Sequence, residues 1–315
     1  MNSGSTPKTV YPTYGVHNPP RYSPCESPDC LYGRHPGEPS DPLFPLYWTA
    51  KWTMYRVFNN YVDNPPPYDG KPPASLREGE DYQVSHGQTW YDSTWRGPDG
   101  EEGAMMEYYD EWSLPIFPMD NHFSSAFISL GDKAYFLTYD KDRPQGMPPI
   151  CQFSDLNHPP RRDFIKHLPY SPGDSLRLGG RVQGYSFWTN PQPSKSPIQV
   201  GASPDRTEDG AILFGYAFES EWTPDTVDKS AAPYRHPHSF YFSGFPLDPP
   251  NAPMVSQNFS DFAMVRPDPS ETWDLVAELS GGGKILPACN LFGPAETGAH
   301  SSARMAPTWA GKKQL

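Results

Sequence analysis

Proline sets the tightest limit on what this chain can build. It supplies 41 of 315 residues, and each one removes a backbone donor, fixes φ, and breaks a helix interior or a central ladder position. With 26 glycines, the two residue types make up about a fifth of the chain, just short of the share that marks low-complexity disorder. Aromatic residues pull the other way: they make up 14 %, and disordered chains are poor in them. All apolar types together reach only 36 %, so Phe, Tyr and Trp must fill much of the core that Leu and Ile fill elsewhere. The expectation is a folded body with long, proline-stiffened loops.

Residues 1–45 carry a proline every four or five positions, from Pro7 to Pro45, which forbids helix and interrupts ladders. They read as an extended arm, and Tyr11, Tyr14, Tyr22 and Tyr32 favour an arm strapped onto a surface over a free linker. Structure begins at LYWTAKWTMYRVF, where Trp48, Trp52, Met54 and Phe58 alternate but Trp48, Trp52, Tyr55 and Phe58 also fit helical spacing, so strand and helix stand level. Strand patterns follow in GAMMEYY, HFSSAFISL, KAYFLTY, GRVQGYSFW, AILFGYAFESEW and HSFYFSGF, with Gly131-Asp132 as a hairpin turn. Gly215 and Ala217 on one face of AILFGYAF predict close approach of another layer or of a ligand. Short helices are expected at 157–168 and 271–279, the second stopped by GGG. The fold class is therefore mainly β, an antiparallel β-sandwich or barrel-like body over 46–283 with one or two short helices, a proline-rich arm over 1–45 and a flexible tail over 284–315.

Several function classes lose support. The net charge is −12 with a pI near 5.1, which repels phosphate backbones and argues against nucleic acid. No apolar run reaches 18 residues, so no membrane span is expected. The first 25 residues lack an apolar signal core, giving a cytoplasmic chain by default, or a secreted one if a signal has been removed. G-x-S-x-G, G-x-G-x-x-G, Walker and H-E-x-x-H patterns are absent. Cys25 and Cys30 lack the second pair a zinc ribbon needs, and a local disulfide between them would require an oxidising compartment.

Three groups of residues could carry chemistry. His236 and His238 lie two apart, so on an extended segment both imidazoles point one way; with His122 as third ligand they would suit a divalent transition metal. Glu219, Glu221 and Trp222 pair carboxylates with an aromatic platform, the arrangement with which sugars are held and cleaved. Trp90, Tyr91 and Trp95, with Tyr108, Tyr109 and Trp112, read as aromatic loops interspersed with acids, whose rings could stack on apolar faces while carboxylates take hydroxyls. These readings lead to a non-enzymatic binding or structural β-protein with an aromatic, acid-rimmed pocket for a small amphipathic or carbohydrate-like ligand. Two further expectations stand beside it: a metal-dependent hydrolase, lyase or oxygenase on the histidines, and an envelope or assembly protein whose arm straps a neighbouring subunit into a homo-oligomer.

Overall fold

A computed structural model describes residues 13–14, 39, 42–59, 64–98, 100–111, 123–139, 143, 147–153, 162, 170–190, 198–201, 212–243, 254–281 and 285–289. Among the described residues thirteen strands join one antiparallel sheet: β1 (Thr13–Tyr14), β2 (Tyr47–Val57), β3 (Tyr82–Arg96), β4 (Glu102–Tyr109), β5 (Ser125–Leu130), β6 (Lys133–Thr138), β7 (Ile150–Gln152), β8 (Tyr170–Ser171), β9 (Val182–Asn190), β10 (Ile198–Gly201), β11 (Ile212–Glu219), β12 (Pro237–Ser243) and β13 (Met254–Ala263). The order is β1-β10-β9-β11-β12-β13-β2-β3-β4-β5-β6-β7, with β8 beside β9. The chain thus runs one meander from β2 to β7 and a second through β9, β11, β12 and β13, with β10 on the other side of β9. The pair β13·β2 stitches the late strands to the early ones, with Gln257 opposite Met54 and Phe259 opposite Trp52.

The sheet is curled rather than flat. Side chains of alternate positions on β2, β4, β6, β9, β11, β12 and β13 meet in one core that includes Trp48, Trp52, Met105, Tyr109, Phe136, Tyr185, Phe218, Phe240 and Val255. Phe44, just ahead of β2, touches Trp48 (5.6 Å between centroids) and Tyr91 on one side and Tyr216 and Phe218 (5.2 Å) on the other. Its segment is pinned by backbone bonds from Phe44 N to Arg162 O and from Arg235 N to Leu43 O. The last part of the proline-rich arm is therefore strapped against the same chain's body, and Thr13–Tyr14 adds a strand beside β10.

The outer face is covered in two places. Tyr55, Val57, Tyr82, Ala217, Tyr241 and Met254 lie under the loop bearing Tyr68 and Leu76 and under Leu178, which follows helix α1 (Pro172–Arg177). Outward-facing Ser256 and Asn258 of β13 hold that loop: Tyr68 N donates to Ser256 Oγ (3.2 Å), and Asn258 Nδ2 donates to the carbonyls of Tyr68 (3.2 Å) and Gly70 (2.6 Å). Ala104, Met106, Ile128, Leu137 and Ile150 lie under Trp273 and Val276. Trp273 immediately precedes helix α2 (Asp274–Ser280) and Val276 lies within it; the helix follows a 3-10 turn (Pro269–Glu271) and ends at Gly281, φ 61°.

The expected fold class holds, and so does the helix in 271–279. LYWTAKWTMYRVF is a strand. Its inner face is buried throughout and its outer face at both ends, with Lys51 exposed between them, which is why its apolar spacing fitted either reading. The expected helix at 157–168 falls outside the described residues except Arg162. WYDSTW is not a loop but lies inside β3, and YY of YYDEW ends β4. Residues 285–289 lie along β7: Gln152 N donates to Pro287 O and Cys289 N to Gln152 O, and Cys151 and Cys289 form a disulfide. The chain past residue 283 is held to the sheet as far as Cys289.

Candidate functional site

Alternation along β4 places Met105, Glu107 and Tyr109 on the inner face and Ala104 and Met106 on the outer face. A carboxylate thus stands between two core residues. Glu107 is 7 % exposed, and burial raises its carboxyl to a pKa of about 7, a hydrogen bond from Gln257 opposing the shift. Gln257 Nε2 donates to Glu107 Oε1 at 3.5 Å. β13 and β4 are three strands apart, about 14 Å in a flat sheet, so this contact crosses the hollow of the curl.

The surroundings of Glu107 are aromatic and polar at once. Thr89 is its register partner on β3 and Phe127 on β5. Tyr109 is fully buried, and its hydroxyl is pushed well above the ordinary tyrosine range by burial first, then by the charge of Glu107 and by Tyr216. Trp52 lies 4.9 Å from Tyr109, centroid to centroid. It reaches there across Gly87, where a Cβ would fall 2.2 Å from the indole and 1.9 Å from the Tyr108 carbonyl. A glycine in mid-strand thus lets one large ring lie flat on the inner face. Tyr216 stacks on Phe240 at 4.6 Å, and Phe240 on Phe242 at 4.4 Å.

Many polar atoms on this face have no protein partner among the described residues. They include Trp52 Nε1, Ser85 Oγ, Thr89 Oγ1, Tyr109 OH, Ser129 Oγ and Gln257 Oε1, all buried. Strand register makes most of them neighbours: Gln257 and Ser85 flank Met54, Gly87 joins Trp52 to Tyr109, and Thr89 joins Ala50 to Glu107. Natural cores pair such groups, since each one left unmade costs about 1–3 kcal/mol. The four hydroxyls and the indole N–H can each donate, so the face can take a molecule carrying acceptor oxygens.

The residues singled out from sequence fall in different places. Tyr91 and Tyr109 are buried on the inner face, whereas Trp90, Trp95 and Tyr108 pack on the outer face near Trp273 and Tyr139. Glu219 and Glu221 are exposed, and Trp222, 39 % exposed, lies under the Arg235 guanidinium at 4.6 Å. The rings and acids thus do not form a single rimmed surface. Trp112 and His122 lie outside the described residues.

The two histidines have different neighbours. His236 packs on Phe262 (4.6 Å) and Tyr234 (5.2 Å), whereas His238 Nε2 lies 3.7 Å from Asp69 Oδ1. Burial pulls the His238 imidazole below its ordinary range, with Asp69 and Glu219 opposing. In the β11·β12 ladder Ala217 faces Ser239 and Phe218 faces Pro237, so His238 is the extra residue of a bulge. That extra residue breaks the two-residue alternation expected to aim both rings one way. Among the described residues no three His, Cys, Asp or Glu side chains are grouped to hold a metal ion.

Glu107 is one of the acids interspersed with Tyr108, Tyr109 and Trp112, and composition alone does not set it apart. The signal that would have found it is its position in phase with Met105 and Tyr109, on the face opposite Ala104 and Met106. No protein-family model matches this chain, and no curated protein is detectably similar to it.

Proposed function

We propose that this protein is a binding protein that takes a small, mostly apolar or aromatic molecule against the inner face of its curled sheet. One observation supports the reading: fully buried Thr89, Tyr109, Ser85 and Gln257, with Trp52 Nε1, present polar atoms that no protein group among the described residues satisfies, on a face built mostly from aromatic rings. Pockets for small molecules combine a mainly apolar lining with a few convergent polar groups, and buried polar atoms without protein partners call for a partner of another kind. Slow opening of the Phe44 strap, which packs on rings of both β3 and β11, would give a ligand its way in.

The test is a titration with Nile red, a neutral lipophilic dye, followed by energy transfer from the interior tryptophans. Saturable one-to-one binding is expected, and Thr89→Trp, which puts an indole at the register position opposite Glu107, should weaken it at least tenfold. Linear, unsaturable uptake, or equal binding by a folded Thr89→Trp variant, would remove the reading.

A further inference from the structure

We infer that Glu107, in its protonated form, is the hydrogen-bond donor that recognises an acceptor oxygen, of the ketone or ester kind, on an otherwise apolar ligand. This rests on the inner-face reading above and specifies its chemistry. The geometry comes first. Glu107 lies on the inner face between Met105 and Tyr109, opposite Thr89 in register. One carboxyl oxygen accepts from Gln257 Nε2, which leaves the second oxygen for the proton and for a ligand. Tyr109 OH and Thr89 Oγ1 are buried hydroxyls without a protein partner among the described residues, and they flank Glu107 along and across the strand. Three hydroxyl-type donors on neighbouring positions match an oxygen with two lone pairs far better than they match a cation or a hydrocarbon.

An anionic ligand fits less well. A carboxylate or phosphate would have to sit beside a carboxyl group, and would itself be desolvated among aromatic rings. A neutral carbonyl carries no such cost, and the apolar remainder of the molecule would lie on Trp52, Tyr216 and Phe240.

The protonation argument agrees with the geometry. Burial raises Glu107 to about 7, so near neutrality roughly half of the empty protein holds the proton. The titratable and charged groups on the elements around it are Tyr109 on its own strand, Tyr91 on β3, Arg56 on β2, Tyr185 on β9 and Tyr216 on β11. Of these tyrosines, Tyr109 is pushed well above its ordinary range, so it stays a neutral donor throughout. A ligand that needs the protonated carboxyl must bind more weakly as pH rises through about 7, by a factor of roughly ten between pH 6 and pH 8 if the ionised form does not bind.

The experiment compares two neutral fluorophores, Prodan, which carries a ketone, and its parent dimethylaminonaphthalene, which does not. Both are titrated at pH 6 and pH 8 against the full chain and against Glu107→Gln and Glu107→Leu. Prodan should bind roughly tenfold more tightly at pH 6, whereas the parent compound should show no pH dependence. Glu107→Gln keeps a donor and an acceptor, so it should bind Prodan at both pH values with the wild type's pH 6 affinity. Glu107→Leu should lose the preference for the ketone. If both dyes bind but Prodan shows no pH dependence, or shows the same dependence in Glu107→Gln, the role of Glu107 is overturned and the inner-face binding reading survives. If neither dye binds to any folded variant, the binding reading itself fails and this inference with it. Circular dichroism and unfolding midpoints confirm that each variant compared is folded.

Discussion

At the scale of single residues, two positions on the inner face carry opposite costs. Gly87 carries a steric one. A methyl group there would meet the Tyr108 carbonyl at 1.9 Å and the Trp52 ring at 2.2 Å, and the carbonyl belongs to a ladder that cannot give way. Gly87→Ala should therefore destabilise by about 2–3 kcal/mol or more, the usual result of overpacking, read as a lower urea midpoint. Gly173→Ala, whose new methyl would come no nearer than 4.0 Å to Arg177, should leave the midpoint within about 0.5 kcal/mol of wild type. Glu107 carries an electrostatic cost. Its pKa is raised from 4.5 to about 7 on folding, so the native state holds the proton more tightly than the unfolded chain. Stability from this group is present in full below about 4.5, declines as pH rises, and is lost by the time pH passes about 7; the difference amounts to roughly 3 kcal/mol. Glu107→Gln cannot ionise, so relative to wild type it should gain about that much at pH 8 and little at pH 4.5. Chemical unfolding of the two proteins at both pH values checks this, and equal differences at the two pH values would contradict it.

At the scale of elements, the outer-face covers are held differently from the inner face. Helix α1 has only six residues, too few to persist alone, and it is fixed by Asp174. Tyr241 OH and Ser186 Oγ both donate to Asp174 Oδ2, at 2.8 Å and 2.6 Å, and Arg177 pairs with the other oxygen. Gly184 and Gly215 make room: a Cβ on Gly215 would meet the Tyr241 ring at 2.3 Å, and one on Gly184 would meet Asp174 Cβ at 2.6 Å. At Gly215 the room is taken by the ring of its own register partner Tyr241 in the same sheet, and the approach of a covering layer falls at Gly184, against helix α1. Tyr241→Phe removes one bond to a charged acceptor and should cost about 1.5–3 kcal/mol. Cleavage by a protease near residues 172–181 should rise with it; an unchanged unfolding midpoint would show that the bond adds nothing.

The same elements show what could be read in advance. The β5–β6 hairpin and strands β9, β11 and β12 were legible because alternation, aromatics and turn residues agree there. Helix α2 was legible from Pro269 before it and Gly281 after it. β3 was not, because Ser, Thr, Asp and Gln are interleaved with its rings, and only curling of the sheet buries Thr89 and Ser85. β13 reads as polar for a related reason: Ser256 and Asn258 serve the loop that covers them, and Gln257 serves Glu107. A polar residue facing inward looks like a surface residue until the strand's phase is known. No local pattern could show that Gln257 and Glu107 meet, since 150 residues separate them.

At the scale of the whole molecule, the sheet has an open order. Its path ends at β1 and β7, with no ladder between them among the described residues. An open edge is a weak point for fraying and for pairing with other chains. At β7 the chain closes that edge with its own later segment: Ala288 bridges Gln152 in parallel, and Cys151 bonds to Cys289 across 138 residues of sequence. The disulfide encloses β8 to β13 and α2, so it ties the second meander to the edge of the first. Constraining so long a loop in the unfolded chain should contribute about 2–5 kcal/mol. Cys289→Ser, or reduction of the wild type, should lower the unfolding midpoint by that amount and expose 285–289 to proteolysis. Cys151 faces the inner core, three strands from Glu107 in the same register row with Phe127 and Phe136 between them, so dye binding at Glu107 should persist in the folded fraction at moderate temperature. A bond of this kind is maintained in an oxidising compartment, and the peptide pair joining Cys151 to Cys289 should be recovered by mass spectrometry of the non-reduced protein from its natural source. Recovery of both cysteines only as free thiols, with the midpoint indifferent to reductant, would leave the edge held by the backbone bonds of Gln152 alone.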